Sequence, residues 1–328
     1  MAGSAQPAVA APPRVDGDRV NRPQAIIDAH LHLFDDRANA YSVFEAPDAT
    51  FEALVGDYSA LPHRYAFEHY SADTDSRIVE GIVWHEFMSR DPAREVNWAQ
   101  RLADSLPVPM SIVAMVDFLD PRLDERLDTY RTLPNVTAVR QHLAWDEVNP
   151  QRRMAARPDF LRDEAWRRGL GRLRDHDFRC GLEVFGPQMC DLVEVVHLYP
   201  DIEFTLALMG WPLDLGPAGF ASWKENIRNL AQCPNVCASL SAIECIFGMD
   251  WTIETVRPWL LTAIEHFGPG RCMIGSHLPI SRLSFGFTRL YDAYDTILAP
   301  FSDEERDQIF RTTARDWFRV GLSSSKRG

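Results

Sequence analysis

At 328 residues, with 46% hydrophobic and 25% charged content, the chain has the make-up of a globular protein and room for one large α/β domain or two average ones. A formal net charge of −13 argues against nucleic-acid binding through counterion release. No apolar run reaches the roughly 18 residues of a membrane-spanning helix. The expected partner is therefore a small-molecule substrate, with no nucleic acid and no membrane, and a homodimer is compatible with these numbers.

Residues 1–22 are rich in Ala, Pro, Gly and polar side chains and lack the basic start and apolar core of a secretory signal. They read as a disordered tail on a cytoplasmic protein, with the folded domain at 23–322 and a flexible end at 323–328. The first strand-like run is 25–32, inside the apolar stretch Ile26-Ile27-Asp28-Ala29-His30-Leu31-His32-Leu33-Phe34. Strand alternation puts Asp28, His30 and His32 on one face and Ile27, Ala29 and Leu31 on the other. Two imidazoles about 6–7 Å apart along a strand can address one metal ion or one substrate.

Further strand-like runs follow at 77–87, 108–118, 136–144, 179–185, 202–209, 236–243 and 272–276, most of them rich in Val, Ile, Leu or Ala, as in parallel strands covered on both faces. Helical spacing joins Leu161, Trp166, Leu170 and Leu173, then Ile227, Leu230 and Ala231, then Tyr291, Tyr294 and Ile297. Ser302 and Glu305 form a capping-box pattern for a last helix that buries Ile309, Phe310, Ala314 and Trp317. Alternating β and α units in this number predict a single (β/α)₈ TIM barrel. A doubly wound sheet is the alternative, but no Gly-rich dinucleotide fingerprint follows an early strand. The six cysteines, at 180, 190, 233, 237, 245 and 272, contain no Cys-x-x-Cys pair and are expected to be buried free thiols.

In such a barrel the site lies at the carboxyl ends of the strands. The polar residues near those ends are His30, His32, His85, Glu86, Arg140, His142, Glu183, Ser239, Ser241 and His277. Charge collected there predicts a catalytic pocket.

Asp28-Ala29-His30-Leu31-His32 on a barrel's first strand resembles the amidohydrolase superfamily. Val139-Arg140-Gln141-His142-Leu143-Ala144-Trp145, Phe185-Gly186-Pro187-Gln188, Met209-Gly210-Trp211-Pro212 and the run from Phe267 to Ser276 resemble its branch of sugar-lactone and 2-pyrone-4,6-dicarboxylate lactonases. The resemblance covers residues 24–321 and implies a TIM barrel of amidohydrolase type and a lactonase-like hydrolase. It also shows three departures. Relatives commonly have a histidine where this chain has Leu208, and often a lysine where it has Ser239. In the eighth strand, Gly275-Ser276-His277-Leu278-Pro279 places a histidine where relatives have the acid that binds metal and serves as general base.

These changes remove two of the usual groups around a divalent ion, so the expected site is metal-independent. If zinc binds, His30 and His32 supply two ligands, and the third is Glu86, Glu183 or His277. In the metal-free reading His277 is the general base, Arg140 binds a substrate carboxylate or enolate, and His30 and His32 donate hydrogen bonds to an oxyanion. His142 reaches the same ligand, Glu86 or Glu183 fixes a histidine tautomer, and Trp145 and Trp211 wall the pocket. Ser239 is placed with the substrate-binding residues and Glu183 with the catalytic ones. Phe34, Tyr41, Phe44 and Phe51 suggest an apolar lid. Competing functions are a cyclase, isomerase or decarboxylase using the same pocket, or a non-catalytic ligand-binding barrel.

Overall fold

The computed structural model describes residues 24–322, so the expectations for 1–22 and 323–328 lie outside the described residues. Eight parallel strands follow one another in chain order: β1 (Ile26–Leu31), β2 (Val79–His85), β3 (Met110–Met115), β4 (Val136–His142), β5 (Arg179–Glu183), β6 (Phe204–Leu206), β7 (Val236–Leu240) and β8 (Cys272–Ile274). The first and last strands meet where His277 N donates to His30 O at 2.7 Å and His32 N to Leu278 O at 2.7 Å. The fold is the expected (β/α)₈ barrel, and both closing bonds involve the site histidines.

The sixth strand is shorter than its sequence run. Leu208 and Met209 take left-handed conformations, with φ of 50° and 54°, and turn the chain out of the sheet. The helical stripes all occur. Trp166 and Leu170 lie on α1 (Glu164–Leu170), with Leu161 and Leu173 on short flanking 3₁₀ turns. The other two stripes lie on α2 (Pro217–Ala231) and α3 (Gly286–Leu298), and each is buried. The Ser302–Glu305 capping box forms, with Glu305 N donating to Ser302 Oγ at 3.2 Å and Ser302 N to Glu305 Oε2 at 2.8 Å.

The amino end of the barrel is plugged by the chain's own end. Phe318 and Val320 pack with Ile27, Ala29, Val83, Val113 and Met273 in an interior cluster. Ser111 Oγ donates to Phe318 O at 2.8 Å, and Trp317 Nε1 to Thr205 Oγ1 at 2.9 Å. That end is sealed, so the carboxyl ends of the strands are left for chemistry.

The strict alternation expected in β1 does not hold. Ile27 and Ala29 face the interior, whereas Asp28 faces outward and accepts from Tyr70 Oη at 3.1 Å and Ser276 N at 2.8 Å. The pairing register of β1 shifts between Ile26 and Ile27 and again between Asp28 and Leu31, and both histidines line the mouth. Burial raises the Asp28 carboxyl to about 6, partly offset by its bonds with Ser276. Asp28 therefore ties β1 to β8 and does not join the histidines on their face.

All six cysteines are free, but Cys190 is exposed and Cys245 only partly buried, against the expectation of uniform burial. No helix among the described residues is long and apolar enough to cross a membrane.

Candidate active site

His30, His32 and His277 converge at the barrel mouth. One ring nitrogen from each lies within 4.8 Å of the others, and ring centroids are 4.7 Å apart for His30–His277 and 5.4 Å for His32–His277. Each ring is held from behind through Nδ1. His32 Nδ1 meets the carbonyl of His85 at 3.0 Å, and His277 Nδ1 meets Glu244 Oε1 at 2.5 Å. A carbonyl or a carboxylate only accepts, so these Nδ1 atoms carry the proton and Nε2 keeps a lone pair. His30 Nδ1 lies 2.8 Å from Ser241 Oγ, itself 3.1 Å from Ser239 Oγ. His30 Nε2 is buried with no hydrogen-bond partner.

Burial holds both His30 and His32 well below the ordinary imidazole range, and repulsion from neighbouring rings adds to it, His85 first for His30 and His277 first for His32. Both are neutral at pH 7. Neutral His32 with its proton on Nδ1 offers a lone pair to the pocket, so the expected role of donating to an oxyanion does not fit it. The residues do fit a divalent cation: three imidazoles with anchored Nδ1 atoms are the donor set of a zinc site whose other ring nitrogens are fixed by carboxylate, carbonyl or hydroxyl.

Beside the histidines lies a quartet of buried charges. Arg140 Nε donates to Glu86 Oε1 at 2.7 Å and Nη2 to Glu86 O at 2.9 Å, while Nη1 lies 3.9 Å from Glu183 Oε2. His142 bridges both acids, with Nδ1 at 2.9 Å from Glu183 and Nε2 at 2.9 Å from Glu86. An imidazole donates from both nitrogens only when protonated. Burial opposes that charge, but Glu183 and Glu86 outweigh it and raise His142 to about 9. Burial likewise pushes both carboxyls up. Arg140 and His142 together reverse this at Glu86, and His142 leads the reversal at Glu183. The quartet is charge-neutral: two carboxylates, one guanidinium, one imidazolium.

This arrangement corrects several expected roles. Glu86 is fully buried and holds Arg140, His142 and Met88 N, so it positions neighbours without reaching a ligand. Both ring nitrogens of His142 are taken, and Arg140 spends most of its fork on Glu86 although both line the pocket. Ser239 acts through Ser241 on His30. Trp145 lies outside the pocket wall, with the guanidinium of Arg153 4.4 Å from its ring centre, and packs the loop after β4. Trp211 does line the pocket, set edge-on against Phe185. Of the four residues expected to form an apolar lid only Phe51 lines the pocket, with Leu54 and Val55 of the same short helix (Ala49–Val55), whereas Phe34, Tyr41 and Phe44 pack around Phe87 outside it.

Glu244, Cys245 and Ser241 are site residues that the sequence reading did not single out for a role. Ala242, left-handed at φ 58°, turns the chain from β7 into the short helix Ile243–Phe247, which delivers Glu244 to His277. Cys245 Sγ lies 3.9 Å from His277 Nδ1. A histidine with a lone pair and a nearby acid is the only sequence signal that could have suggested Glu244, and several acids met it.

The sequence model of the amidohydrolase family matches residues 27–320. The chain belongs to the amidohydrolase family. The uncharacterized protein y4mH of Sinorhizobium fredii is 30% identical to this amidohydrolase over 298 residues, covering 90% of this chain and 99% of the relative. The L-fucono-1,5-lactonase of Burkholderia multivorans is 26% identical over 275 residues, covering 80% and 84%. An amidohydrolase from Burkholderia multivorans, solved once with bound Hepes and once with bound zinc, superposes with a TM-score of 0.75 at 20% identity over 90% of this chain and 100% of its own.

Proposed function

We propose that this amidohydrolase is a lactonase-like hydrolase whose His30, His32 and His277 hold a divalent cation, zinc by preference. The observation that carries the reading is the convergence of three imidazoles anchored through Nδ1, with His30 Nε2 buried and unpartnered. A cation bound there supplies Lewis-acid polarisation of an ester carbonyl and makes water more acidic. The L-fucono-1,5-lactonase relative and the zinc-bound amidohydrolase support the reaction class and the ion.

The chain's own groups handle the rest. Glu183 lines the same pocket as the three histidines and is kept ionised by His142. It accepts a proton from the attacking water as the water oxygen bonds to the carbonyl carbon. The ring C–O bond then breaks, and the leaving alkoxide takes the proton back from Glu183. Arg140, partly committed to Glu86, presents its remaining edge to a substrate oxygen. Phe51, Leu54 and Val55 give the pocket an apolar side that lowers the polarity around the reacting carbonyl.

The 2.5 Å contact of His277 with Glu244 favours one second reading. Without a cation, His277 Nε2 is itself a general base oriented by Glu244. One lone pair cannot be both ligand and base, so the two readings exclude each other at the same atom. Turnover of five- and six-membered lactones in ¹⁸O water tests the reaction class. Ring opening with one solvent oxygen in the product carboxylate is expected. Products formed without solvent oxygen, as in isomerisation or decarboxylation, would overturn it.

A further inference from the structure

The histidine pocket has a volume of about 50 Å³, far below the few hundred Å³ usual for a site that takes an organic ligand. Beside it opens a cleft of about 560 Å³ between the loops after β1, β2, β3 and β4. The two share Phe51, Leu54, Met88, His142 and Met154 as common wall. A substrate whose carbonyl meets the histidines is too large for their pocket alone, and the adjoining cleft is the space next to it.

The charged groups of the cleft each have partners within the protein, Asp48 and Asp117 through one carboxylate oxygen each. Asp48 accepts from Thr50 N and Phe51 N at 2.9 and 3.0 Å, and Asp117 from Leu119 N and Gln141 Nε2 at 2.9 and 3.2 Å. Asp120 pairs with Arg126 at 2.9 Å. Arg153 donates to Asp146 O and Glu147 O and lies over Trp145. Between these groups the surface is Val43, Met115, Val116, Ala156 and Phe160, joined to the shared Phe51 and Met154. Most of the cleft surface is apolar, so an apolar arm laid on it gives up only water, whereas an arm of hydroxyls would lose hydration over that surface.

We propose that this cleft is a specificity subsite for an uncharged alkyl or aryl arm, so that the substrate class is a lactone carrying an apolar chain rather than a bare polyhydroxy lactone. The proposal rests on the hydrolase reading above for the identity of the reacting head, and on the cleft alone for the arm. The carbonyl carbon sits at the histidines under Phe51, and the arm runs past Met154 toward Phe160 and Ala156.

The test is a series of γ-lactones from γ-valerolactone to γ-dodecalactone, run alongside non-hydrolysable 5-alkyl-γ-lactams of matching length measured by calorimetry. Burial of methylenes predicts that kcat/KM and lactam affinity each rise about two- to fourfold per added CH₂ until the cleft is filled. Ala156→Trp and, separately, Ser42→Trp narrow the cleft away from the histidines, and in each the ratio of long-chain to short-chain kcat/KM should fall at least tenfold. Lactam affinity that rises with length while no lactone opens would retain the subsite and overturn the hydrolase reading. Lactones opened with the same kcat/KM at every length, together with flat lactam affinity, would overturn the subsite and leave the hydrolase reading standing.

Discussion

The imidazole of His277 and the carboxylate of Glu244 meet at 2.5 Å, and each is brought there from the end of a neighbouring strand by the same backbone device. His277 itself is left-handed, at φ 54°, and Glu244 follows the left-handed Ala242, at φ 58°. Non-glycine residues rarely adopt this conformation, and two of them are used here to bring one acid behind one histidine. Glu244 thereby fixes which nitrogen of His277 faces His30 and His32.

Replacing Glu244 should therefore act on the ion and not only on the fold. Glu244→Ala is expected to weaken zinc binding by about 10–100-fold, as loss of a supporting carboxylate does elsewhere. Competition against a chromophoric chelator measures it. An unchanged zinc affinity would show that Glu244 does not orient a ligand.

The quartet around His142 makes a prediction about stability. Glu86→Ala leaves Arg140 and His142 buried without their shared acid, and should cost about 3–5 kcal/mol in denaturant unfolding. The pH dependence has a fixed sign. The folded pKa of His142, about 9, lies above the ordinary 6.5, so its stabilisation is complete below about 6.5 and is lost as pH rises toward and through 9. Unfolding curves for wild type and His142→Phe between pH 6 and 10 should converge as pH rises.

Glu95 gives a second, separable slope. Burial first, then the Glu86 carboxylate, raises its pKa from 4.5 to about 8. The folded state thus binds the proton more tightly than the unfolded chain, and this contribution, complete below about 4.5, is lost as pH climbs through 8. Glu95→Gln keeps an acceptor for Phe87 N, now bonded to Oε1 at 3.1 Å, and removes the titration. The variant should be the more stable protein at pH 9 relative to wild type and lose that advantage by pH 5. A parallel pair of stability–pH curves would contradict the assignment.

At the barrel seam, Gly275 has no room for a side chain. A Cβ there would stand 2.5 Å from His30 N and 2.7 Å from His30 Cβ, so the first strand would have to move. Gly275→Ala is expected to lower the melting temperature and, because His30 shifts, to reduce zinc affinity at least tenfold. A folded variant with native zinc affinity would show that the seam does not set the position of His30.

The barrel was legible because its strands are apolar runs bounded by polar ends, and nearly all the polar ends named from the sequence do gather at one mouth. What the residues did not reveal is how those groups pair. Arg140 and Glu86 are 54 positions apart, and no local pattern shows that the guanidinium expected to bind substrate is already held. Asp28 departs from its expected face for another reason: period-two alternation fails where the pairing register shifts, and Ile27-Asp28-Ala29-His30 carries no glycine or proline to mark the shift. Glu244 lay beyond reach because the left-handed Ala242 that aims it is a backbone choice imposed by packing. The expectation of a metal-free site rests on two absences, the sixth-strand histidine replaced by Leu208 and the eighth-strand acid replaced by His277. It did not foresee that the histidine standing there would be supported from behind by an acid of the seventh strand's loop.

The zinc site stands or falls on the nitrogens of His30, His32 and His277 acting as ligands. The decisive measurement is elemental analysis of protein purified without added metal, repeated after dialysis against chelator and titration with zinc. One divalent cation per chain is expected, with lactone turnover lost with the ion and restored at one equivalent of zinc, and no stoichiometric binding in His277→Ala. Full turnover by protein shown to contain no cation would contradict it and leave His277 as the base.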